Sequence, residues 1–232
     1  SLYEKNLVSQ LILIMSKCFY LLALLLALLL ALPVVSFAQS LKFKTYRVEE
    51  GLSNNSVNDI VHDSSATLWI ATWDGLNCFD GNEFSVFKHQ PGDSSSLPGN
   101  FVNKLLIDRQ QKLWVQAGPD ILSRYLGEGR FQHVRFPQPL QRVTLTEDQT
   151  LRVEWEGRVQ RWEKNQFVDC SPSACQPDQS QFQLLTSLIR PVFPEVTIRD
   201  AHRNQAGNLW FATLRNGLLF VPYQAENISR AT

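Results

Sequence analysis

A phrase that recurs four times constrains the fold of this chain more than any other feature. Each copy has a short run rich in aliphatic residues, then an acidic or amide residue, and, five positions later, Leu-Trp or its remnant. The three clear copies place these residues at Asp63 and Leu68-Trp69, Asp108 and Leu113-Trp114, and Asn204 and Leu209-Trp210. A degraded copy keeps the spacing with Thr146 and Leu151, but Arg152 occupies its Trp position.

The spacing of the copies indicates a repeat architecture. The steps between successive Trp positions are 45, 38 and 58 residues. A period of about 40 to 50 residues built from short strands is typical of β-propeller blades. We therefore predict an all-β protein, a β-propeller with about four consecutive four-stranded blades. Their approximate ranges are 57–88, 102–135, 141–168 and 196–224.

The first copy shows how four strands fit into one repeat. Short alternating runs predict an inner strand over Val57 to His62 and a second strand over Leu68 to Thr72. A third strand, Leu76 to Phe79, reaches an outer strand, Phe84 to Lys88, through the hairpin turn Asp80-Gly81-Asn82. Residues of the Asp63 type fit the first turn, because a short side chain can hydrogen-bond to backbone two residues on. The repeated Trp residues are expected to pack between blades.

Several of these residues resemble the two-component regulator propeller repeats, which occur in periplasmic sensor regions of bacterial signalling proteins. The resemblance rests on Gly51-Leu-Ser-Asn-Asn-Ser-Val57, on Leu68-Trp-Ile-Ala-Thr-Trp-Asp-Gly-Leu76, and on Phe87 to Leu97, which is similar to the linker between repeats. It extends from residue 41 to about 224 and is weak between 140 and 195. The family pattern has Gly where this chain has Ala71 and Ala212.

The resemblance implies a seven-bladed ring, for which four copies are too few. The chain is therefore predicted to be an incomplete part of such a ring, rather than a closed four-bladed ring. Missing blades leave bare sheet faces and edges, so residues 39–232 alone are expected to aggregate or to unfold at low denaturant. Residues 43–48 parallel the outer strand of the first blade and are predicted to complete the last blade as its outer strand.

The first 38 residues predict export. Met15-Ser-Lys17 supplies positive charge, Phe19 to Val35 is apolar, and Ser36-Phe37-Ala38 forms a small-residue cleavage pattern. Residues 15–38 are therefore predicted to be a signal peptide; the alternative is a retained signal anchor, since about 20 apolar residues can span a bilayer. Residues 1–14 are interpreted as a non-native upstream extension. The expected location is periplasmic, with the full-length protein anchored in the inner membrane.

The segment 169–195 is an insertion rich in Pro, Ser and Gln that lengthens the third repeat. It is interpreted as an outer strand plus a loop, with a ligand-contacting excursion as the alternative. Phe182 to Ile189 is apolar enough for either a strand or a helical turn. Cys170 and Cys175 flank four residues and can close a loop disulfide in an oxidising compartment, or remain two surface thiols. Cys78 is expected to be packed in a strand.

Charge and motifs exclude several function classes. The formal net charge is zero and the basic residues are scattered, so no nucleic-acid partner is expected. The sequence has no phosphate-binding loop, zinc helix, nucleophile elbow or Cys-x-x-Cys pair. We predict no catalytic residues, no metal site and no cofactor, and the chain is not expected to be an enzyme. The four His residues are assigned to separate strands or turns, and most Asp residues to turns.

Binding is therefore assigned to loops. The candidate ligand-binding residues are Trp73 and Asp74, between the second and third strands, and Asn54 and Asn55, which lead into the inner strand. Amides, carboxylates and an aromatic face bind sugars by hydrogen bonding and stacking. The expected ligand is an oligosaccharide or another small extracellular molecule. The alternative for Trp73 is packing between blades, and for the two Asn residues turn formation.

The resemblance implies the input module of a two-component receptor. In this interpretation the chain is an N-terminal fragment that senses an extracytoplasmic ligand, and its output domain is a histidine kinase beyond a downstream membrane segment. A receptor homodimer is a further expectation. The alternatives are a secreted β-propeller lectin or enzyme, or the sensor region of a diguanylate cyclase.

Overall fold

The computed structural model describes residues 15, 17, 19, 20, 43–171 and 182–223. The chain divides into two compact units, Ser1–Ser40 and Leu41–Thr232, and the fold described below belongs to the second. Except for the four isolated positions, the predicted signal peptide lies outside the described residues, as do residues 1–14 and Cys175. Among the described residues, no helix is long and apolar enough to cross a membrane.

The second unit consists of sixteen described strands and one α-helix. The helix, α1, spans Phe182–Ile189. A short 3-10 turn, Val48–Glu50, follows the first strand. The strands are β1 Lys44–Tyr46, β2 Val57–His62, β3 Leu68–Thr72, β4 Gly75–Phe79, β5 Phe84–Phe87, β6 Lys104–Ile107, β7 Leu113–Gln116, β8 Ile121–Gly127, β9 Arg130–Arg135, β10 Arg142–Leu145, β11 Leu151–Trp155, β12 Arg158–Glu163, β13 Gln166–Asp169, β14 Ile198–Arg203, β15 Leu209–Thr213 and β16 Leu218–Val221.

These strands form four antiparallel sheets of four strands each, which confirms the predicted all-β propeller. Blade I contains β2–β5, blade II contains β6–β9 and blade III contains β10–β13, each in sequence order. Blade IV has the order β1-β16-β15-β14, so its outer strand comes from the other end of the chain. Thr45 pairs with Leu219 at the centre of that ladder. The prediction that the N-terminal strand completes the last blade is confirmed, over Lys44–Tyr46.

The Leu-Trp phrase packs the blades against one another in the order IV, I, II, III. In each clear copy the Trp lies in the apolar cluster shared with the following blade, as Trp69 does with Leu105 and Val115 of blade II. The Leu faces the preceding blade, as Leu68 does in the cluster that contains Trp210 of blade IV. This alternation follows from the two-residue period of a strand. The expectation that the Trp residues pack between blades is confirmed.

A hydrogen bond from the Trp to the turn carboxylate explains the fixed spacing of the phrase. Asp63 accepts the backbone N–H of Thr67 with one oxygen and the indole N–H of Trp69 with the other, at 3.0 Å each. Asp108 likewise accepts the indole N–H of Trp114 at 2.9 Å. A single carboxylate therefore closes the turn and satisfies a buried donor of the core. The same turn position has left-handed backbone in all four copies, although its residue type differs: Ala66, Gln111, Gln149 and Gly207.

Blade IV lacks this bond because its turn residue is an amide. Asn204 accepts the N–H of Asn208 at 2.9 Å with its oxygen. The other branch of an Asn side chain is an NH₂ donor, which cannot accept an indole N–H. Among the described side chains, Trp210 Nε1 is buried and has no hydrogen-bond partner.

We expect Asn204→Asp to stabilise the protein by about 1 to 2 kcal/mol, since its second oxygen would satisfy the buried indole donor. The urea midpoint, at constant slope, measures this change. The reciprocal variant Asp108→Asn removes the equivalent bond from blade II, so it is expected to destabilise by a similar amount. An unchanged or lower midpoint for Asn204→Asp would contradict the assigned role of the carboxylate.

The described part of the insertion takes the helical alternative. Phe182–Ile189 forms α1, whereas the outer strand of blade III is β13, which ends at Asp169. Helix residues Leu185 and Ile189 pack on Phe211 and Leu219, on the face of blade IV opposite blade I. The helix therefore covers an apolar sheet face. Its apolar run alone did not distinguish a strand from a helix.

The outer face of blade III is polar. Arg152, in the Trp position, pairs with Glu154 on the same face, and Arg161 pairs with Glu163. No apolar cluster of the described residues joins blade III to blade IV. Of the described blades, blade III therefore carries paired charges on this face, with Arg152 itself buried, and blade IV is covered by α1.

Candidate functional site

The turn between β3 and β4 exposes the side chain of Trp73, one of the candidate ligand-binding residues. Its side chain is 45% exposed, unlike the buried Trp69 four residues before it. The indole N–H donates to Asn58 Oδ1 at 3.1 Å. Phe101, 51% exposed, lies beside it with a centroid separation of 6.1 Å. The aromatic rings of Trp73 and of Phe101, which shortly precedes β6, are therefore open to solvent at the junction of blades I and II. We call this place the rim.

Asp74 adds charge and amide groups to the rim. Its carboxylate forms an ion pair with Lys88 Nζ at 2.6 Å and accepts a hydrogen bond from Asn100 Nδ2 at 3.1 Å. The Asp74 backbone N–H donates to Thr72 Oγ1, which fixes the turn. The rim thus combines aromatic surface with hydrogen-bonding groups held by two blades. Such a combination suits a ligand with one apolar and one hydroxylated face.

Asn54 and Asn55 have structural roles in the turn. Asn54 Oδ1 accepts the N–H of Ser56 at 2.8 Å, two residues on. Asn55 Oδ1 accepts the N–H of Val48 at 3.0 Å, and its carbonyl oxygen accepts the N–H of Gly217 from blade IV. Among the described residues, no hydrogen bond joins the side chain of Asn54 or Asn55 to Trp73 or Asp74. Both bonds correspond to the turn-forming alternative, and whether these amides also bind a ligand stays a prediction.

The rim contains three residues that the sequence analysis did not single out: Asn58, Asn100 and Phe101. A signal for Asn58 exists, because Val57-Asn58 and Val102-Asn103 recur at the start of two inner strands. Asn58 Nδ2 also donates to the Val102 carbonyl oxygen at 2.8 Å and so fixes the spacing of blades I and II at the rim. Phe101 carries no repeat signal.

A second group of polar residues lies on the inner strands. Asp59, Lys104 and Asp200 each stand four positions before the turn residue of their own repeat. Asp59, 1% exposed, accepts Lys104 Nζ at 2.9 Å and the backbone N–H of Leu105 at 2.6 Å. Asp200 accepts the backbone N–H of Ile60 at 3.2 Å. Each carboxylate therefore links its own inner strand to the next blade, from IV to I and from I to II.

The backbone aims these two carboxylates. A register shift interrupts the pairing of β2 between Val57 and Asp59, and the pairing of β14 between Ile198 and Asp200. A bulge inserts one residue and turns the next side chain, so both Asp residues are directed at the neighbouring strand. The pairing of β6 with β7 has no such register shift at Lys104. Lys104 also differs from the two Asp residues in that its side chain cannot accept a hydrogen bond from the next blade.

Two histidines also meet at the junction of blades IV and I. His62 of β2 stacks on His202 of β14, with ring centroids 4.8 Å apart, and lies 6.0 Å from the ring of Trp210. Both occupy strands, as expected, but their separate positions in sequence gave no indication that they meet. His62 Nδ1 is buried and has no partner among the described residues. A sequence signal for this pair exists, because each His lies just before the turn residue of its repeat: His62 one position before Asp63, and His202 two positions before Asn204.

Burial shifts the pKa values of this inner group. Burial, followed by the charge of Asp59, raises the pKa of Asp200 to about 8. Burial and the nearby His202 lower the pKa of His62 to about 4, and burial lowers the pKa of His202. Although burial opposes the charge of Lys104, Asp59 and Asp200 raise its pKa. The group therefore holds one ion pair, one neutral carboxyl and two neutral imidazoles near pH 7.

Shallow crevices separate the blades at the end opposite the rim. A crevice of about 380 Å³ between blades I and II is lined by Trp69, Lys112, Arg124 and Tyr125. The corresponding crevice between blades II and III has about 200 Å³ and includes Arg109, Trp162 and Asn165. Among the described residues, no group of three or more His, Cys, Asp or Glu side chains is arranged to hold a metal ion.

Comparison with known proteins gives one local sequence match to a curated protein. No family model matches the chain. A histidine kinase from Formosa agariphila is 40% identical over 68 residues. The match covers 29% of this chain and 5% of the kinase. The chain thus corresponds to a small part of that relative.

Solved structures with some likeness include a signalling domain and an enzyme. A domain described as the extracellular part of a hybrid two component system from B. thetaiotaomicron has 18% identity and a TM-score of 0.45, over 80% of this chain and 24% of that domain. Virginiamycin B lyase from Staphylococcus aureus has 14% identity and a TM-score of 0.42, over 74% of this chain and 53% of the lyase. These TM-scores lie below 0.5, so the propeller assignment rests on the four sheets themselves.

The repeat phrase accounts for the turns, the buried Trp residues and the packing of successive blades in this structure. The four sheets that it builds are propeller blades. The sequence likeness to a histidine kinase is local, with 40% identity over 68 residues.

Proposed function

We propose that this chain is part of the extracytoplasmic sensor region of a bacterial two-component receptor. The observation that carries the proposal is the local match to a histidine kinase in a chain built of propeller blades. The predicted export segment supports a periplasmic location. The output domain is proposed to be a histidine kinase in the full-length protein, and a receptor homodimer remains a prediction.

The rim is the proposed ligand-binding site. Trp73 and Phe101 expose apolar rings, while Asp74, Asn58 and Asn100 supply fixed hydrogen-bonding groups from both adjoining blades. A sugar ring stacks its apolar face on an aromatic side chain and directs its hydroxyl groups to amides and carboxylates. An oligosaccharide is the proposed ligand class. Because two blades contribute, binding would favour one relative position of these blades and so bias the receptor.

Trp73→Ala in the full-length receptor is expected to weaken the response to the ligand without unfolding the blades. One stacked aromatic contributes on the order of 1 kcal/mol, which corresponds to about a fivefold higher ligand concentration for half-maximal response. The measurement is phosphorylation of the response regulator in intact cells after addition of membrane-impermeant polysaccharides that induce the wild-type receptor. Leu126→Ala, which removes an exposed side chain of blade II, is the matched control.

Two results would count against the proposal. If Trp73→Ala and Leu126→Ala respond like the wild type, the rim is not the binding site. If no impermeant polysaccharide changes phosphorylation of the response regulator in cells that carry the wild-type receptor, the proposed ligand class is wrong. Thermal melting of Trp73→Ala separates loss of binding from loss of fold, since a lowered melting temperature would indicate that the ring is part of the core.

A further inference from the structure

The junction of blades IV and I brings two carboxyl groups, the buried Asp59 and the half-buried Asp200, together opposite a single ammonium group. Asp59 is bound on both oxygens, by Lys104 Nζ and by the Leu105 N–H, and so needs its negative charge. Asp200 lies beside it on β14, where it accepts the N–H of Ile60, the residue after Asp59, at 3.2 Å, and the two carboxyl groups are close enough to interact. Two adjacent carboxyl groups opposite one ammonium group repel each other when both are ionised, which favours a proton on one of them. With Asp59 paired to Lys104, the proton belongs to Asp200.

We propose that Asp200 is a pH-responsive latch, which holds blades IV and I together while its carboxyl is protonated and loosens them when it ionises. The step is a simple acid dissociation. Asp200 releases its proton to solvent, and two adjacent carboxylates then face one ammonium and repel each other. The Ile60 N–H, at 3.2 Å, is the remaining donor to Asp200.

The surroundings of Asp200 contain few other titratable groups. Asp59 on β2 and Lys104 on β6 face it directly, and His202 lies two residues further along β14. His62 on β2 stacks on His202, next to Asp63. Strands β15 and β16 and helix α1, which pack on β14 or complete its sheet, carry no titratable side chain.

The direction of the pH effect follows from the raised pKa of Asp200. An unfolded Asp ionises near pH 4, whereas Asp200 in the folded chain keeps its proton up to about pH 8. Between these values the folded state binds one more proton than the unfolded state, so stability falls as the pH rises. The lowered pKa values of His62 and His202 act oppositely, but only below about pH 6.5. Of these three groups, Asp200 therefore governs the range from pH 7 to pH 8.

The junction of blades IV and I also includes the turn that precedes β16, the partner strand of β1. Gly217, between β15 and β16, donates its N–H to the Asn55 carbonyl oxygen of blade I at 2.8 Å. β1 pairs with β16 in the same sheet. Loosening of the junction at alkaline pH is therefore expected to expose β1 and β16 to solvent.

Carbon-13 NMR of the whole 232-residue chain, purified in mild detergent and labelled at the Asp carboxyl carbons, tests the proton assignment. One carboxyl is expected to titrate between pH 7 and pH 9, and its signal should be missing in Asp200→Asn. If the signal missing in that variant instead titrates near pH 4, Asp200 is ionised at neutral pH and the latch does not exist.

Hydrogen exchange tests the link to the junction. After correction for the intrinsic pH dependence, protection of the Thr45 and Leu219 amides should fall by up to about tenfold from pH 7 to pH 8, as expected for loss of one proton. Asp200→Asn, which keeps a neutral side chain of the same shape, should remove this dependence. Asp120→Asn, which breaks an exposed ion pair in blade II, should keep it. Equal dependence in all three proteins would overturn the proposal.

Discussion

Trp114→Ala is expected to lower the free energy of unfolding by about 3 to 5 kcal/mol, because truncation of a fully buried aromatic leaves a cavity. The Trp114 side chain is 1% exposed and lies 4.8 Å from the ring of Trp162 in blade III. Its indole N–H donates to Asp108, so the variant also leaves a turn carboxylate without one of its partners. The urea midpoint, together with the yield of folded protein, measures the effect.

Trp73→Ala is the matched control for this prediction. The same truncation at the rim removes a side chain that is nearly half exposed, so it is expected to change the stability by about 0.5 kcal/mol or less. If both variants destabilise the protein equally, the distinction between interblade Trp residues and rim Trp is wrong. If neither variant destabilises it, the proposed packing of blade II on blade III is wrong.

Gly217→Ala is expected to cost about 3 kcal/mol or more and to release the N-terminal strand. Gly217 has φ +78°, and a Cβ there would overlap the carbonyl oxygen of Tyr46 at the end of β1. Left-handed backbone costs a residue with a side chain about 1 to 2 kcal/mol, and overpacking adds about 1 to 3 kcal/mol. Limited proteolysis should cut near Tyr46 much faster in the variant than in the wild type.

Gly81→Ala separates the two contributions. Gly81 has φ +105°, and a Cβ there would meet no atom within 4 Å, so its substitution carries the backbone cost alone. Its expected loss is about 1 to 2 kcal/mol, without faster proteolysis at Tyr46. Equal losses for the two variants would mean that β1 does not lie against Gly217.

The repeat phrase was enough to predict the blades because its residues act locally. Asp63 and Asp108 form their turns with backbone only a few positions away, and the alternation around Leu68 and Trp69 sets which side chain faces which blade. The outer strand from the N-terminus was also predictable, since blade IV has three strands of its own and lacks the fourth.

Helix α1 could not be predicted in the same way. Eight residues with an apolar pattern fit a buried strand or a short helix equally well by sequence alone. What decides between them is the sheet face of blade IV, where Leu185 and Ile189 cover Phe211. That face is a tertiary feature, and the local sequence carries no record of it.

The inner group was missed for a different reason. Most Asp residues were assigned to turns from their nearest neighbours in sequence, and neither Asp59 nor Asp200 was singled out. Their equivalent positions in two repeats, 141 residues apart, indicate instead that both lie on inner strands. Alignment of the repeats would have placed Asp200, Asp59 and Lys104 side by side, but the raised pKa of Asp200 depends on burial, which only the packed blades define.

Cross-linking of Thr45→Cys to Leu219→Cys tests most directly the claim that the N-terminal strand completes blade IV. Paired residues of an antiparallel ladder have Cα atoms about 4.5 to 5.5 Å apart, within the range of a disulfide. In a chain whose native cysteines are replaced by Ser, mild oxidation should give a rapidly formed, reducible cross-link. The pair Thr45→Cys and Val86→Cys, on the outer strand of blade I, should not cross-link. Oxidation of the first pair no faster than the second would contradict the closure of blade IV by β1.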